Sequence, residues 1–372
     1  MDENLNNKNN TNKKLMIYII TFFVGCLVMY AVVYFFPIAI TEDVIKEVRD
    51  VTITDTGIAE AVEKVYDAVV IVSTYRDGSY IASGTGFVYR NDGDTYYLLT
   101  NYHVIEDGDN VTVTFTNENV VETEIVGYDR YADIAVLSLE SDEELVVAEL
   151  GDNDETRVGD TTFAVGAPLD SAYSWTVTRG ILSGKDRLVE VSLDDSNTSD
   201  FAMNVLQTDA AINSGNSGGP LCNANGEVIG ITSLKLISDG VEGMGFAIPI
   251  EDAVEKAEQI ISGEVITYPY IGISMTDFSR AYYSQYYSLI RDSGLENGVI
   301  VIAVEDGSPA AEGGIRANDI ITAINGEDVT NVAYLKYYLY QHGVGDTVTI
   351  TVYRNGDTQD LEVTLGSDGQ TL

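Results

Sequence analysis

The chain has 372 residues and carries 59 acidic side chains against 20 basic ones, a formal net charge of −39. So acidic a surface repels phosphate backbones and anionic headgroups, which argues against nucleic acid as a partner and against membrane attachment by charge. The length exceeds what one ordinary core accommodates and calls for more than one domain.

The first 14 residues form a polar, Asn-rich tail bearing Lys8, Lys13 and Lys14, and Leu15 to Phe36 follow without a charge. A membrane-crossing helix needs about 20 apolar residues, so the run is long enough to span. The competing reading, a cleaved signal peptide, calls for a shorter apolar region of about 7 to 15 residues and small residues at the cut; Pro37-Ile38-Ala39-Ile40 is a poor site. An uncleaved signal anchor is therefore expected, with Tyr18, Tyr30 and Tyr34 as candidate interface residues. The lysines before the span place the N-terminus in the cytoplasm and everything after about residue 41 outside. Residues 41–57 read as an acidic stalk with Val44, Ile45 and Val48 at helical spacing, and Ile58 to Tyr66 continue with Ala59, Ala61, Val62 and Val65.

His103, one of only two histidines, follows the apolar run Tyr97-Leu98-Leu99-Thr100, where a strand ends. Asp133 directly precedes Ile134-Ala135-Val136-Leu137, which reads as a buried strand. Farther along, Asn213-Ser214-Gly215-Asn216-Ser217-Gly218-Gly219-Pro220 packs a serine among glycines, the composition of a strained turn that presents a nucleophile beside free backbone N–H groups. A serine hydroxyl is a weak nucleophile and needs a base; imidazole exchanges protons near neutral pH, and a carboxylate on its far nitrogen fixes the tautomer. The order His, Asp, Ser is that of the chymotrypsin class, not of subtilisin or the α/β-hydrolases. Candidate roles follow: His103 as base, Asp133 as orienting acid, Ser217 as nucleophile, and the 215–217 loop (Gly215, Asn216, Ser217) as oxyanion hole, with the N–H groups of Gly215 and Ser217 aimed at the developing charge.

Cys222, beyond Pro220-Leu221, reads as a small buried hydrophobe, and Cys26 lies in the apolar run, so no disulfide joins them. Gly84-Thr85-Gly86 lacks the lysine and spacing of a nucleotide loop, and acidic pairs such as Glu143-Glu144 and Asp194-Asp195 lack calcium-loop spacing; no cofactor or metal is expected. Residues 250–261 carry apolar side chains at intervals of three and four, a helix stopped by Ser262-Gly263. From about Val265 short strands and turns dominate. Tyr282, Tyr283, Tyr286 and Tyr287 fall in an expected amphipathic helix whose tyrosines read as core packing or a partner surface, core being the preferred reading, and His342, before Gly343, reads as a helix C-terminus.

Thr100-Asn101-Tyr102-His103-Val104, Ala132-Asp133-Ile134-Ala135-Val136-Leu137 and Gly215-Asn216-Ser217-Gly218-Gly219-Pro220-Leu221 resemble the three catalytic blocks of the HtrA/Deg serine proteases. Gly84-Thr85-Gly86-Phe87, Val177-Thr178-Arg179-Gly180-Ile181, Gln207-Thr208-Asp209-Ala210 and Gly245-Phe246-Ala247-Ile248-Pro249 agree in order. The resemblance implies a mainly β protein: a chymotrypsin-like pair of six-stranded barrels over 58–262, with His103 and Asp133 in the first and Ser217 in the second. It also implies a specificity pocket for aliphatic side chains around Ile231, Thr232 and Ser233, and a homotrimer. Residues 265–366 resemble an α+β PDZ domain, with Tyr270-Ile271-Gly272-Ile273 as the loop that takes a peptide C-terminus and Asp306-Gly307-Ser308-Pro309 within its core. The implied activity is a membrane-anchored, ATP-independent endopeptidase acting on unfolded or misfolded proteins outside the cytoplasmic membrane. Two other readings share these residues: a signalling protease with a single substrate gated by peptide binding, and a chaperone or scaffold whose protease fold rests inactive.

Overall fold

The computed structural model describes residues 16, 20–28, 55–166, 175–191, 201–234 and 243–367. The chain divides into two units, Met1–Ile53 and Thr54–Leu372. In the first, residues 20–28 are helical; the tail 1–14, most of the apolar run 15–36 and the stalk up to 54 lie outside the described residues. Among the described residues no helix is long and apolar enough to cross a membrane.

The second unit opens with α1 (Asp55–Tyr66). Ile58, Ala61 and Val65 recur at three and four, so one stripe is buried, packing with Ala68 and Val69. Six antiparallel strands then close a barrel: β1 (Val69–Arg76), β2 (Ser79–Asp92), β3 (Thr95–Thr100), β4 (Asn110–Thr114), β5 (Val120–Asp129) and β6 (Ile134–Glu140), in the order 1-2-3-6-5-4. A second barrel closes β7 (Thr161–Gly166), β8 (Thr176–Val191), β9 (Phe201–Thr208), β10 (Pro220–Asn223), β11 (Val228–Thr232) and β12 (Gly245–Pro249), in the order 10-11-12-9-8-7. The expected pair of six-stranded barrels is therefore observed.

The alternation of strand side chains explains why segments such as Ile134-Ala135-Val136-Leu137 are apolar throughout. Ala135 and Leu137 fill the first barrel with Val70, Val72, Leu98 and Val113. Ile134 and Val136 point the other way, into a core shared with Phe163, Val165, Ile231 and Phe246 of the second barrel. The seam between the barrels is thus a packed hydrophobic core, and it carries the loops that concern function.

Helix α2 is the single turn Tyr102–Ile105, and α3 spans Ile250–Ile261, as the spacing predicts. Ile250, Ala253, Ala257 and Ile260 form the buried face of α3, Glu251 and Asp252 suit the positive N-terminal end of its dipole, and Gly263 at φ +72° follows its Ser262 cap.

The C-terminal domain is built on a sheet in the order β14 (Ile273–Asp277), β15 (Val299–Val304), β16 (Ile320–Ile324), β18 (Thr347–Arg354), β19 (Asp357–Thr364), with β17 (Glu327–Asp328) beside β16. The short pair β13 (Pro269–Tyr270) and β20 (Gly366–Ser367) joins its two ends. Further helices are α4 (Phe278–Ala281), α5 (Tyr287–Ser293), α6 (Pro309–Glu312) and α7 (Val332–Leu339). The amphipathic helix expected at Tyr282 to Tyr287 is two short helices, and its tyrosines are not core. Tyr282, Tyr283 and Tyr287 stand 49%, 93% and 41% exposed, and only Tyr286 packs on the Phe278–Ile290 cluster. The apolar residues that hold this insertion down are Phe278, Ala281 and Ile290. His342 does follow the end of α7, its N–H bonded to the Leu339 carbonyl.

One ion pair on a buried carboxylate ties this domain together. The Arg354 guanidinium grips Asp319 with Nε and Nη2 at 2.6 Å each, and Asp319 also accepts the Arg316 N–H at 2.7 Å. Removing the cation alone strands a buried carboxylate, at a cost of about 3–5 kcal/mol. Arg354→Met is therefore expected to destabilise β16 and β18 by that order, and Asp319→Leu added to it to restore much of the loss; hydrogen exchange of the β16 and β18 amides in the full chain measures both.

Candidate active site

His103 sits in the one-turn helix that follows β3, and Asp133 sits immediately before β6, the neighbour of β3 in the barrel. Pairing of Thr100 with Ala135 brings the two together, and the fully buried Asn101 locks them: its Nδ2 donates to the Asp133 carbonyl at 2.9 Å, joined by the Tyr102 N–H at 3.2 Å. The Asp133 carboxylate then faces the imidazole. His103 Nδ1 lies 3.0 and 2.9 Å from its two oxygens, the His103 N–H donates to it at 3.1 Å, and the Ser233 hydroxyl donates at 3.0 Å. With the carboxylate as acceptor, Nδ1 carries the proton and Nε2 is left as the basic nitrogen.

Ser217 comes from the other barrel, on the loop before β10. The Asn216 N–H closes a turn onto the Asn213 carbonyl at 3.0 Å, and Gly215, third in that turn, has φ +100°, the positive value a type II turn requires. Thr85 of β2 reaches across the seam: its hydroxyl donates to the Gly215 carbonyl at 2.6 Å and its N–H to the Ser217 carbonyl at 2.8 Å. Both carbonyls are thereby turned toward the first barrel, and the N–H groups of Gly215 and Ser217 have no partner among the described residues. The Asn216 N–H is taken by the Asn213 carbonyl, so within the 215–217 loop the donors without a partner among the described residues are those of Gly215 and Ser217, the two expected to face the developing charge. Gly218, at φ +84°, admits no side chain, since a Cβ there would lie 2.1 Å from the Thr85 carbonyl oxygen.

The Ser217 hydroxyl oxygen accepts the Leu234 N–H at 3.1 Å, and no hydrogen bond to His103 Nε2 occurs among the described residues. The base and its acid are assembled, while the nucleophile is engaged elsewhere.

Ile231, Thr232 and Ser233, expected to line a specificity pocket, are all fully buried. Ile231 joins the inter-barrel core, the Thr232 hydroxyl bonds the Asn216 and Gly219 carbonyls at 2.7 and 3.1 Å, and Ser233 holds Asp133. The polar side chains of this stretch brace the nucleophile loop and the acid. Thr85, Asn101 and the bracing role of Ser233 have no local sequence signal, because each acts on a partner in a distant strand. Cys222 is fully buried and burial pushes its thiol up, so it offers no thiolate to compete with Ser217.

The loop expected to hold a peptide carboxylate lies between β13 and β14. The Ile271 carbonyl accepts the Ala310 N–H at 2.8 Å and the Gly272 carbonyl the Glu305 N–H at 3.0 Å, while the N–H groups of Ile271 and Gly272 have no partner among the described residues. Gly272 has φ +78°. Downstream of the loop, β14 is the last strand of its sheet and, among the described residues, leaves one edge unpaired.

Residues 84–231 match the trypsin-like peptidase domain family, and residues 269–365 match the PDZ domain family. The serine protease Do-like HtrB of Bacillus subtilis is 38% identical over 328 residues, covering 83% of this chain and 71% of that protein. The serine protease Do-like HtrA of Lactococcus lactis subsp. cremoris is 36% identical over 346 residues, covering 86% and 84%. Among solved structures, the HtrA-type protease AlgW with decapeptide superposes with a TM-score of 0.64 at 28% identity, covering 84% of this chain and 99% of that one.

Proposed function

The chain belongs to the HtrA family of trypsin-like serine proteases, and we propose that it is a membrane-anchored, ATP-independent endopeptidase that removes unfolded and misfolded proteins outside the cytoplasmic membrane, with Ser217, His103 and Asp133 as its catalytic triad. The observation that carries the reading is the His103–Asp133 pair at 2.9 Å together with a Ser217 loop whose flanking N–H groups are free.

In the working enzyme the Ser217 side chain rotates off the Leu234 N–H toward His103 Nε2, which takes its proton as the oxygen attacks the peptide carbonyl. The N–H groups of Gly215 and Ser217 stabilise the oxyanion, and His103 then passes the proton to the leaving amine. Asp133 keeps Nδ1 protonated and the ring oriented throughout. Water releases the acyl group from Ser217 by the same steps in reverse roles. The N–H groups of Ile271 and Gly272 bind the C-terminal carboxylate of a peptide that adds to the free edge of β14. The charge-free run of 15–36 anchors the chain, and three copies assemble through their protease domains.

The test is cleavage by the full chain in proteoliposomes, without ATP, of several unrelated proteins, each presented folded and unfolded. Broad cleavage of the unfolded forms, with the folded ones spared, is expected. Cleavage of one membrane partner only would replace quality control by single-substrate signalling. No cleavage at all, even with C-terminal peptides added, would leave a scaffold.

A further inference from the structure

Asp129, the last residue of β5, is fully buried and accepts three hydrogen bonds. Its Oδ1 takes the N–H groups of Tyr131 and Ala132 at 2.9 and 3.0 Å, and its Oδ2 takes the Tyr268 hydroxyl at 2.5 Å. The backbone so held leads directly into Asp133, which stands at φ +54°. Aspartate tolerates that conformation better than most residues, and here the Asn101 and Tyr102 donors on the Asp133 carbonyl hold it. Asp129 thus anchors the turn that ends at Asp133, the residue paired with His103.

Tyr268 lies outside both barrels, in the segment between α3 and β13. Its ring lies 4.6 Å from Tyr131 and 4.6 Å from Tyr340, the residue that caps α7 of the C-terminal domain; those two rings touch each other at 5.2 Å, and Phe201 completes the cluster at 5.7 Å from Tyr131 and 5.6 Å from Tyr340. Burial, reinforced by the neighbouring Asp129 carboxylate, pushes the hydroxyl far above the usual tyrosine range, so it remains a donor wherever the enzyme works.

We propose that Tyr268 is a positioning residue of the protease, supplied from outside the trypsin-like fold: its hydroxyl holds Asp129, Asp129 holds the backbone of 131–132, and that backbone sets Asp133 against His103. Through the ring contacts with Tyr340, the same residue makes the geometry of the catalytic acid depend on the seat of α7. The proposal rests on the catalytic reading of Asp133 and His103.

The experiment uses the full chain and Tyr268→Phe, which removes the hydroxyl and keeps the rings packed. Three quantities are read: steady-state cleavage of an unfolded protein, the rate at which a fluorophosphonate probe labels Ser217, and the downfield Nδ1 proton resonance of His103. Expected are a fall in kcat and labelling rate of roughly 10- to 100-fold with KM unchanged, and a displaced or broadened His103 signal, because small misplacements of a catalytic group cost about that much. Asp129→Asn is expected to give a similar fall, and the two changes combined little more than either, since both cut one chain of contacts. A Tyr268→Phe enzyme with wild-type kcat and an unmoved His103 signal overturns the proposal, and so does a loss confined to KM. If the wild type itself does not label, the protease reading fails; the His103 signal still decides whether Tyr268 positions the pair.

Discussion

Ser217→Ala is expected to lower kcat for an unfolded substrate by about 10⁵- to 10⁶-fold while leaving the protein folded. In the proposed mechanism the hydroxyl oxygen becomes bonded to the acyl group, and Cys222 does not replace it, being buried with its thiol pushed up, away from the thiolate form. The structural cost is small. The hydroxyl accepts a single hydrogen bond, from the Leu234 N–H at 3.1 Å, and losing that acceptor costs about 1 kcal/mol. The loop itself is held by other atoms, namely the Thr85 hydroxyl on Gly215 and the Gly218 N–H on the Thr232 carbonyl at 2.8 Å. Because the three residues act as a unit, His103→Ala added to Ser217→Ala is expected to lower the rate little further, and the residue of activity over water belongs to the oxyanion hole and binding, about 10³- to 10⁴-fold. Single-turnover kinetics with unchanged thermal unfolding checks the prediction; a rate that falls less than 100-fold would remove Ser217 from the nucleophile's role.

Asp133→Asn is expected to lower kcat by about 10⁴-fold with little change in KM. The carboxylate accepts from His103 Nδ1, the His103 N–H and the Ser233 hydroxyl, so it is surrounded by donors. An amide in its place brings an NH₂ group into this ring of donors. Turned one way it meets Ser233; turned the other it donates to Nδ1 and so moves the imidazole proton to Nε2, where the nitrogen can no longer take a proton from Ser217. The effect is chemical and not structural, because Asp133's backbone carbonyl, which ties Asn101 and Tyr102 to the site, is untouched. A loss near 10⁴ in kcat with the His103 tautomer reversed by nitrogen-15 NMR is the expected pair of results. A fall of tenfold or less would mean that Asp133 holds the ring but does not set its protonation.

These expectations draw on residues whose importance was unevenly legible. His103, Asp133 and Ser217 could be read from the chain because each stands in a local context with its own physical demand: a strand end, a residue before a fully apolar strand, a glycine-rich turn. Gly218 is the clearest case, since its positive φ and the carbonyl 2.1 Å from where a Cβ would sit leave glycine as the sole fit. Single strands such as 134–137 were legible because a strand buried on both faces is apolar throughout, whereas the pair of barrels was expected only through the family resemblance. That the turn consumes the Asn216 N–H was not legible, because composition marks a loop as strained but does not say which of its carbonyls accepts which N–H. The bracing by Thr232 and Ser233 was not legible for the same reason: the sequence shows a short polar step after an apolar strand, and which way each hydroxyl points depends on strand register. The exposed tyrosines at 282, 283 and 287 look like core by hydropathy alone, and only the break into two short helices turns them outward.

By itself, then, the chain's sequence determined the chemical groups and their order, because glycine-dependent turns and apolar strand runs are properties of neighbouring residues; the pair of barrels entered only through the likeness to a family. The tertiary structure alone decided which partners hold those groups in place: Thr85 on Gly215 across 130 positions, Ser233 on Asp133 across 100, and Tyr268 on Asp129 across 139. No local propensity encodes a contact at such separations; it exists only once barrel closure has set the register of every strand and the linker has been laid against the seam.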